Sequence, residues 1–271
     1  MILGEHRQRL ITGGVLALVL GLCVWFGGRP LQFLALAVAL VALFEFYSLF
    51  WPGKKRPVAK GLGLAMGAGV VLSHGYEFLW PALFLLVPCF LAGLLFLFSY
   101  GLGEKEAKLG DFAPLIFGGV YIPLVLYIAL GLSPLEQLLC VLAAIATDAG
   151  GYYAGCKFGK HKMWPAVSPK KSWEGAIGGL LLCTAVCVCF GLLREYTEVA
   201  LPALPLPAWV AVGVALNIAA QLGDFFESAL KRTQNVKDSG TILPGHGGVL
   251  DRIDSLLFVL PVFLAIRQLA G

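Results

Sequence analysis

The sequence predicts an all-α protein: a polytopic membrane helical bundle of about nine transmembrane helices, with its N-terminus in the cytoplasm. Three observations lead there. Hydrophobic residues make up 59% of the chain and charged residues only 13%, about half the charged fraction of a soluble domain. The apolar residues gather in runs close to the roughly 20 residues that a spanning helix needs. The basic residues divide unevenly between the connections, as in membrane proteins that follow the positive-inside rule. The 271 residues read as a single integral membrane domain, with the polar motifs gathered in its C-terminal part, from about residue 133 to 271.

The first run, 10–27, follows a basic start at Arg7 and Arg9. No small-residue cleavage site follows it, so it reads as a permanent anchor rather than a signal peptide. The next runs cover 30–50, 60–75, 79–100, 112–131 and 133–150. Gly61, Gly63, Gly67 and Gly69 thin the third, and Asp148 interrupts the end of the sixth. The last three runs cover 175–193, 207–226 and 253–269. Glycines within the spans, such as Gly178-Gly179, allow close helix approach.

With the N-terminus inside, cytoplasmic segments hold Arg7, Arg9, Lys54, Lys55, Arg56, Lys60, Lys105, Lys108, Lys157, Lys160, Lys162, Lys170, Lys171, Lys231, Arg232, Lys237 and Arg252. The outer side keeps Arg29, Arg194 and Arg267. The Pro-rich stretch 201–207 becomes an external connector, and the loops 151–174 and 227–252 both face the cytoplasm. A net charge of +4 gives no reason to invoke nucleic acid. Six of the seven cysteines lie in apolar runs and read as small hydrophobes. Cys156 falls in a polar loop, and no zinc-ligand spacing is present.

Residues 224–254 stand out from this background. They carry nine charged residues, from Asp224 and Glu227 to Arg252 and Asp254, in a chain with 20 basic and 16 acidic residues in all. Asn217, Gln221, Asp224 and Ser228 recur on one helical face. Asp251, Asp254 and Ser255 begin the last span. Ionisable residues at spans usually face the protein interior and mark a site. Paired carboxylates there suit magnesium, which takes one or two carboxylates and completes its shell with water and substrate phosphates. Asp224 and Asp251 are the first choices as ligands, then Asp254 and Asp148; Asp254 could instead pair with Arg252 or Lys231.

Two loops supply phosphate chemistry. In Pro244-Gly245-His246-Gly247-Gly248, backbone amides can approach an anion without side-chain obstruction. The turn lacks the Lys-Ser/Thr ending of a P-loop, but Lys231, Arg232, Lys237 and Arg252 flank it. His246 reads equally as a ligand, an acid or a turn residue. In Ser168-Pro-Lys-Lys-Ser-Trp-Glu-Gly175, Lys170 and Lys171 supply two point charges suited to phosphate. Lys157, Lys160 and Lys162 read instead as contacts to an anionic membrane surface.

The block 228–254 resembles the signature of the phosphatidate cytidylyltransferases, or CDP-diglyceride synthetases. The match runs through Ser228, Leu230-Lys231-Arg232, Lys237-Asp238, Gly240, Leu243-Pro244, His246-Gly247-Gly248-Val249 and Asp251-Arg252-Ile253-Asp254. The 168–175 motif is similar to a second landmark of the family, with Ser172 where threonine is more usual. Asp148, Tyr152-Tyr153-Ala154 and Gly159-Lys160 resemble the approach to it.

The resemblance implies transfer of CMP from CTP to phosphatidate, giving CDP-diacylglycerol and pyrophosphate. It implies magnesium dependence, a second monovalent cation such as potassium, a homodimer, and a bacterial inner membrane with the site facing the cytoplasm. Asp224, Asp251, Asp254 and Lys231 would then be catalytic, and Asp148 would join the three aspartates around the metal. Ser168, Lys170, Lys171, Ser228, Arg232, Lys237, His246, Gly247, Gly248 and Arg252 would receive the two phosphorylated substrates. A cation-coupled transporter and a CTP-dependent lipid kinase are the competing readings. A transporter would place carboxylates near mid-membrane in two corresponding halves, whereas here the acids cluster at one side.

Overall fold

The computed structural model describes residues 2–53, 55–76, 79–103, 108–243, 245 and 247–270. The expectations for Lys54, Lys105, Pro244 and His246 lie outside them. Among the described residues the chain is all-helical, without strands. We name its main helices α1 Ile2–Phe26, α2 Gly28–Phe50, α3 Pro57–Leu72, α4 Leu79–Gly101, α5 Leu109–Leu130, α6 Pro134–Phe158, α7 Trp173–Tyr196, α8 Leu206–Thr233 and α9 Leu250–Ala270. Six of these, α2 and α5 to α9, are long and apolar enough to cross a membrane, while Ile11–Phe26, Pro57–Leu72 and Cys89–Gly101 are shorter apolar helices. The chain divides into two compact units, Met1–Leu130 with Asp238–Arg252, and Gly131–Lys237 with Ile253–Gly271.

In the first unit, α2 packs on α3 and α5 through large side chains set against glycines. Leu43, Phe46 and Tyr47 of α2 are fully buried. A side chain at Gly63 or Gly118 would collide with the Tyr47 ring, and one at Gly67 would collide with Leu43. Two of the glycines that thin α3's hydrophobic run, Gly63 and Gly67, are therefore seats for α2. Small residues at helix interfaces serve this purpose in membranes. Polar ends are tied down locally. Gln32 Nε2 donates to the carbonyls of Val71 (3.1 Å) and Leu72 (3.3 Å), satisfying acceptors at the end of α3 that have no intrahelical partner. Trp51 Nε1 donates to the Asp111 carbonyl at 3.0 Å. Helix α5 opens in a 3₁₀ turn and passes through a π turn at Val120–Leu124, where Pro123 removes an N–H from the ladder.

In the second unit, α6 begins with a capping box: Glu136 N donates to Ser133 Oγ, Ser133 N donates to Glu136 Oε2 at 2.7 Å, and Pro134 sits in the first turn. Arg267 of α9 closes an ion pair on the same glutamate at 3.1 Å. Helices α6 and α7 pack backbone to backbone. An added Cβ at Gly150 would meet the Gly178 carbonyl, one at Gly178 would meet Ala154, and one at Gly175 would meet the Gly151 carbonyl.

Two helices run further than hydropathy suggests. Expected to end near 150, α6 continues to Phe158 and carries Asp148, Tyr152 and Tyr153 with it. Cys156, expected in a loop, is thus helical and exposed. Likewise α8 continues to Thr233, past the expected start of a loop at 227.

Candidate active site

The stripe predicted on α8 carries two hydrogen-bonded pairs, Asn217–Gln221 and Asp224–Ser228. Asn217 Nδ2 donates to Thr147 Oγ1 of α6 at 3.1 Å, and Gln221 Nε2 donates to Asn217 Oδ1 at 2.6 Å and to the Ala176 carbonyl of α7 at 3.3 Å. Ser228 Oγ donates to Asp224 Oδ1 at 3.2 Å. One polar face thus joins three helices and delivers Asp224 at its end.

The 159–172 loop folds onto that end. Its base is held by Glu174, whose carboxylate accepts the Lys160 and His161 amides at 3.1 and 3.2 Å and meets His161 Nδ1 at 2.6 Å. Ser172 caps α7, its Oγ accepting from Gly175 N at 3.2 Å. Serine and threonine are both favoured N-caps, so Ser172 keeps the function a threonine would serve there. Lys171 Nζ then forms an ion pair with Asp224 Oδ2 at 2.5 Å and stands 4.2 Å from the Phe225 ring centroid. Trp164 meets Phe225 edge to face, and Arg232 Nε donates to the Val167 carbonyl at 3.4 Å. Ser168 lies in the turn between these contacts, with its backbone N–H on the Trp164 carbonyl and its carbonyl accepting from Lys171. Lys170 is exposed beside it.

Lys231 is buried and pairs with Glu227 Oε2 at 2.7 Å, one helical turn away. Asp254 lies within electrostatic range of Asp224, Glu227 and Lys231. The backbone of Asp254 and Ser255 reaches this cluster by packing on Gly223, where a Cβ would strike the Asp254 carbonyl. Asp224, Glu227, Asp254, Lys171 and Lys231 therefore form one cluster of alternating charge in the second unit. Sequence reasoning counted Glu227 among the charges but gave it no role; its spacing of four residues before Lys231 was the available signal. Asp148 is exposed on α6, on the helical face that carries Gly151 and Gly155. Arg232 and Lys237 are exposed at the end of α8 and just beyond it.

Asp251 belongs to the first unit. Its carboxylate accepts the Ser239 amide (3.0 Å to Oδ2) and the Gly248 amide (2.8 Å). The Gly248 amide, expected to meet a substrate anion, thus meets the protein's own carboxylate. Gly245 and Gly247 have φ of 74° and 79°, left-handed values that side chains rarely adopt. Arg252 is exposed next to Asp251. Among the described residues, no three His, Cys, Asp or Glu side chains are arranged to hold a metal ion. In the second unit, lysines occupy the carboxylates of Asp224 and Glu227.

The fold and these clusters define a helical integral membrane protein with a carboxylate–lysine cluster carried on α8, α9 and the loop before α7. Its family follows from comparison: residues 7–270 match the model of the cytidylyltransferase family, and the chain belongs to that family. It is 34% identical over 270 residues to a phosphatidate cytidylyltransferase of Bacillus subtilis (strain 168), covering 95% of this chain and 96% of that protein. A phosphatidate cytidylyltransferase of Staphylococcus aureus (strain COL) is 32% identical over 262 residues, covering 94% and 96%. Over 127 residues, 46% of each chain, identity to a phosphatidate cytidylyltransferase of Staphylococcus haemolyticus (strain JCSC1435) reaches 45%.

Proposed function

We propose that this protein transfers CMP from CTP to phosphatidate, forming CDP-diacylglycerol and releasing pyrophosphate. The observation that carries this reading is the family match across 7–270, with relatives of that activity aligned over nearly their whole length. The chemistry is consistent with it. A phosphate oxygen of the lipid attacks the α-phosphorus of CTP; a P–O bond forms and the bond to the β-phosphate oxygen breaks. The nucleophile comes from the substrate, so the protein needs no Ser-His-Asp arrangement. Its work is to align the two phosphates and to offset charge on the departing pyrophosphate.

The residues have the chemistry for both tasks. Asp224, Asp254, Asp148 and Asp251 offer the hard oxygen donors that magnesium prefers, and the ammonium of Lys171 on Asp224 marks a position where positive charge is stabilised. These aspartates would hold magnesium, with potassium as a second cation. Bound there, the metal would polarise phosphate oxygens. Lys171 and Lys231, with Lys170, Arg232, Lys237 and Arg252, supply cations for the triphosphate and the lipid phosphate. Ser168, Ser228, His246 and Gly247 complete the substrate contacts, and Lys231 joins Asp224, Asp251 and Asp254 as a catalytic residue.

The remaining assignments belong to the same reading. The chain forms one integral membrane domain of nine spans, N-terminus inside, in a bacterial inner membrane with the site toward the cytoplasm, and it acts as a homodimer. The distribution of basic residues supports the orientation.

Purified protein given labelled CTP, phosphatidate and magnesium should form lipid-bound CMP and pyrophosphate in equal amounts. Release of CDP would identify a lipid kinase instead. No turnover by folded protein would favour a transporter.

A further inference from the structure

The N-terminal helices contribute nothing to the site predicted from sequence, yet α2 carries a carboxylate that reaches the signature segment. Glu45 lies in an apolar candidate span and is 2% exposed. An ionisable residue there is costly and is retained where it meets specific partners. Among the described residues its hydrogen-bond partners lie in the 238–252 segment of the same unit. Glu45 Oε2 accepts the Leu250 amide at 2.8 Å and the Ser239 hydroxyl at 3.4 Å. The Leu250 amide is the first of α9, one of the N–H groups a helix cannot satisfy internally, and a carboxylate at that end also complements the helix dipole.

The glycines of the segment fit around the same group. A Cβ on Gly240 would collide with Glu45 Oε1, and one on Gly248 would strike both Ser239 Oγ and Glu45 Oε2. Asp251 then closes the arrangement from the other side by accepting the Ser239 and Gly248 amides. Glu45 and Asp251 thus grip one short stretch of backbone between them. Glu45 Oε1 is buried and has no hydrogen-bond partner among the described residues.

We propose that Glu45 is a positioning residue for the reaction: it fixes the Ser239–Leu250 backbone, and through it the orientation in which Asp251 enters α9. This rests on the reading of Asp251 as a site residue. A purely structural role would lower stability and yield while leaving the folded fraction kinetically normal.

The test uses the full chain in detergent micelles, with Glu45→Ala, Glu45→Gln and Asp251→Asn. Hydrogen exchange, resolved by mass spectrometry, reads the amides of residues 238–252, and steady-state kinetics are normalised to folded protein. In Glu45→Ala the Leu250 and Gly248 amides exchange about tenfold faster, the loss expected for one hydrogen bond to a charged group. In the same variant kcat falls by about 10²-fold, as a displacement on the order of 1 Å at a reacting centre produces, and KM for CTP changes less than about threefold. Glu45→Gln keeps an acceptor oxygen for Leu250 and recovers most of both. Unchanged exchange in Glu45→Ala, a normal kcat per folded molecule, or Glu45→Gln no better than Glu45→Ala would each overturn the proposal. If Glu45→Ala does not accumulate, Glu45→Asp, whose carboxylate is withdrawn by one methylene, takes its place with the same expectations. Normal turnover in Asp251→Asn would overturn the reading of Asp251 and with it the positioning role of Glu45, whereas unchanged exchange in Glu45→Ala would overturn the proposal with the reading of Asp251 intact.

Discussion

Lys171 Nζ lies 2.5 Å from Asp224 Oδ2, an ion pair with both side chains about one-quarter exposed, and it joins the loop before α7 to the polar end of α8. The neighbouring lysine, Lys170, is exposed and sits outside this pair. Two adjacent residues of one motif therefore have different surroundings.

Lys171→Ala removes the cation from Asp224 and should lower kcat by about 10²-fold, the scale of losing one preorganised electrostatic contact. Lys170→Ala should instead raise the KM for CTP or phosphatidate by about tenfold, a charge-assisted hydrogen bond's worth, with kcat nearly unchanged. Initial rates of lipid-bound CMP formation at varied concentrations of each substrate separate the two. Identical kinetics in Lys170→Ala and wild type would return Lys170 to the membrane surface.

Asp251→Asn places an amide NH₂ or a single carbonyl oxygen against two backbone donors. The variant should remain in the membrane, lose about 1–3 kcal/mol of stability from the unsatisfied amide, and form no product from CTP and phosphatidate. Substantial turnover at saturating magnesium would remove Asp251 from the metal ligands.

The α6–α7 seam leaves no room for a side chain. Gly178→Ala sets a methyl against Ala154 and should cost about 1–3 kcal/mol through overpacking, seen as a lower unfolding temperature in detergent. Gly93→Ala in α4, where a Cβ would have nothing within 4 Å, is the control and should melt like wild type.

Orientation can be read with Cys156, which is exposed at the end of α6. In a variant with Cys156 as its sole cysteine, a membrane-impermeant maleimide should label inverted vesicles but not intact cells. Labelling from outside would reverse the assignment of cytoplasmic loops.

Much of this architecture was legible because apolar runs announce helices. The errors at Phe158 and Thr233 have one cause: hydropathy marks where a helix leaves the hydrocarbon, whereas backbone hydrogen bonding continues through Tyr152 or Ser228 once it has begun. The α8 stripe was legible because Asn217, Gln221, Asp224 and Ser228 share a helical period. Pairing between Lys171 and Asp224 was not, since nothing local to either residue specifies a distant partner. Glu45 was missed for a different reason. Within an apolar run it looked like a lone impurity, and its partners in 238–252 come together with it only through folding. The family itself was legible in the 228–254 block, because phosphate chemistry requires a dense and ordered set of charges that a packing helix does not.

Helix α8 has 28 residues, a length of about 42 Å at the usual rise of an α-helix, against a hydrocarbon layer of roughly 30 Å. Laid across a bilayer, it overshoots by about two turns. If its apolar N-terminal part fills the hydrocarbon, Asp224 to Arg232 stand at the depth of the lipid headgroups. Phosphatidate could then present its phosphate at that level without leaving its leaflet, while CTP approached the same layer from the water. The surplus length of one helix would spare the protein from extracting its lipid and let two substrates of opposite solubility meet at a shared depth.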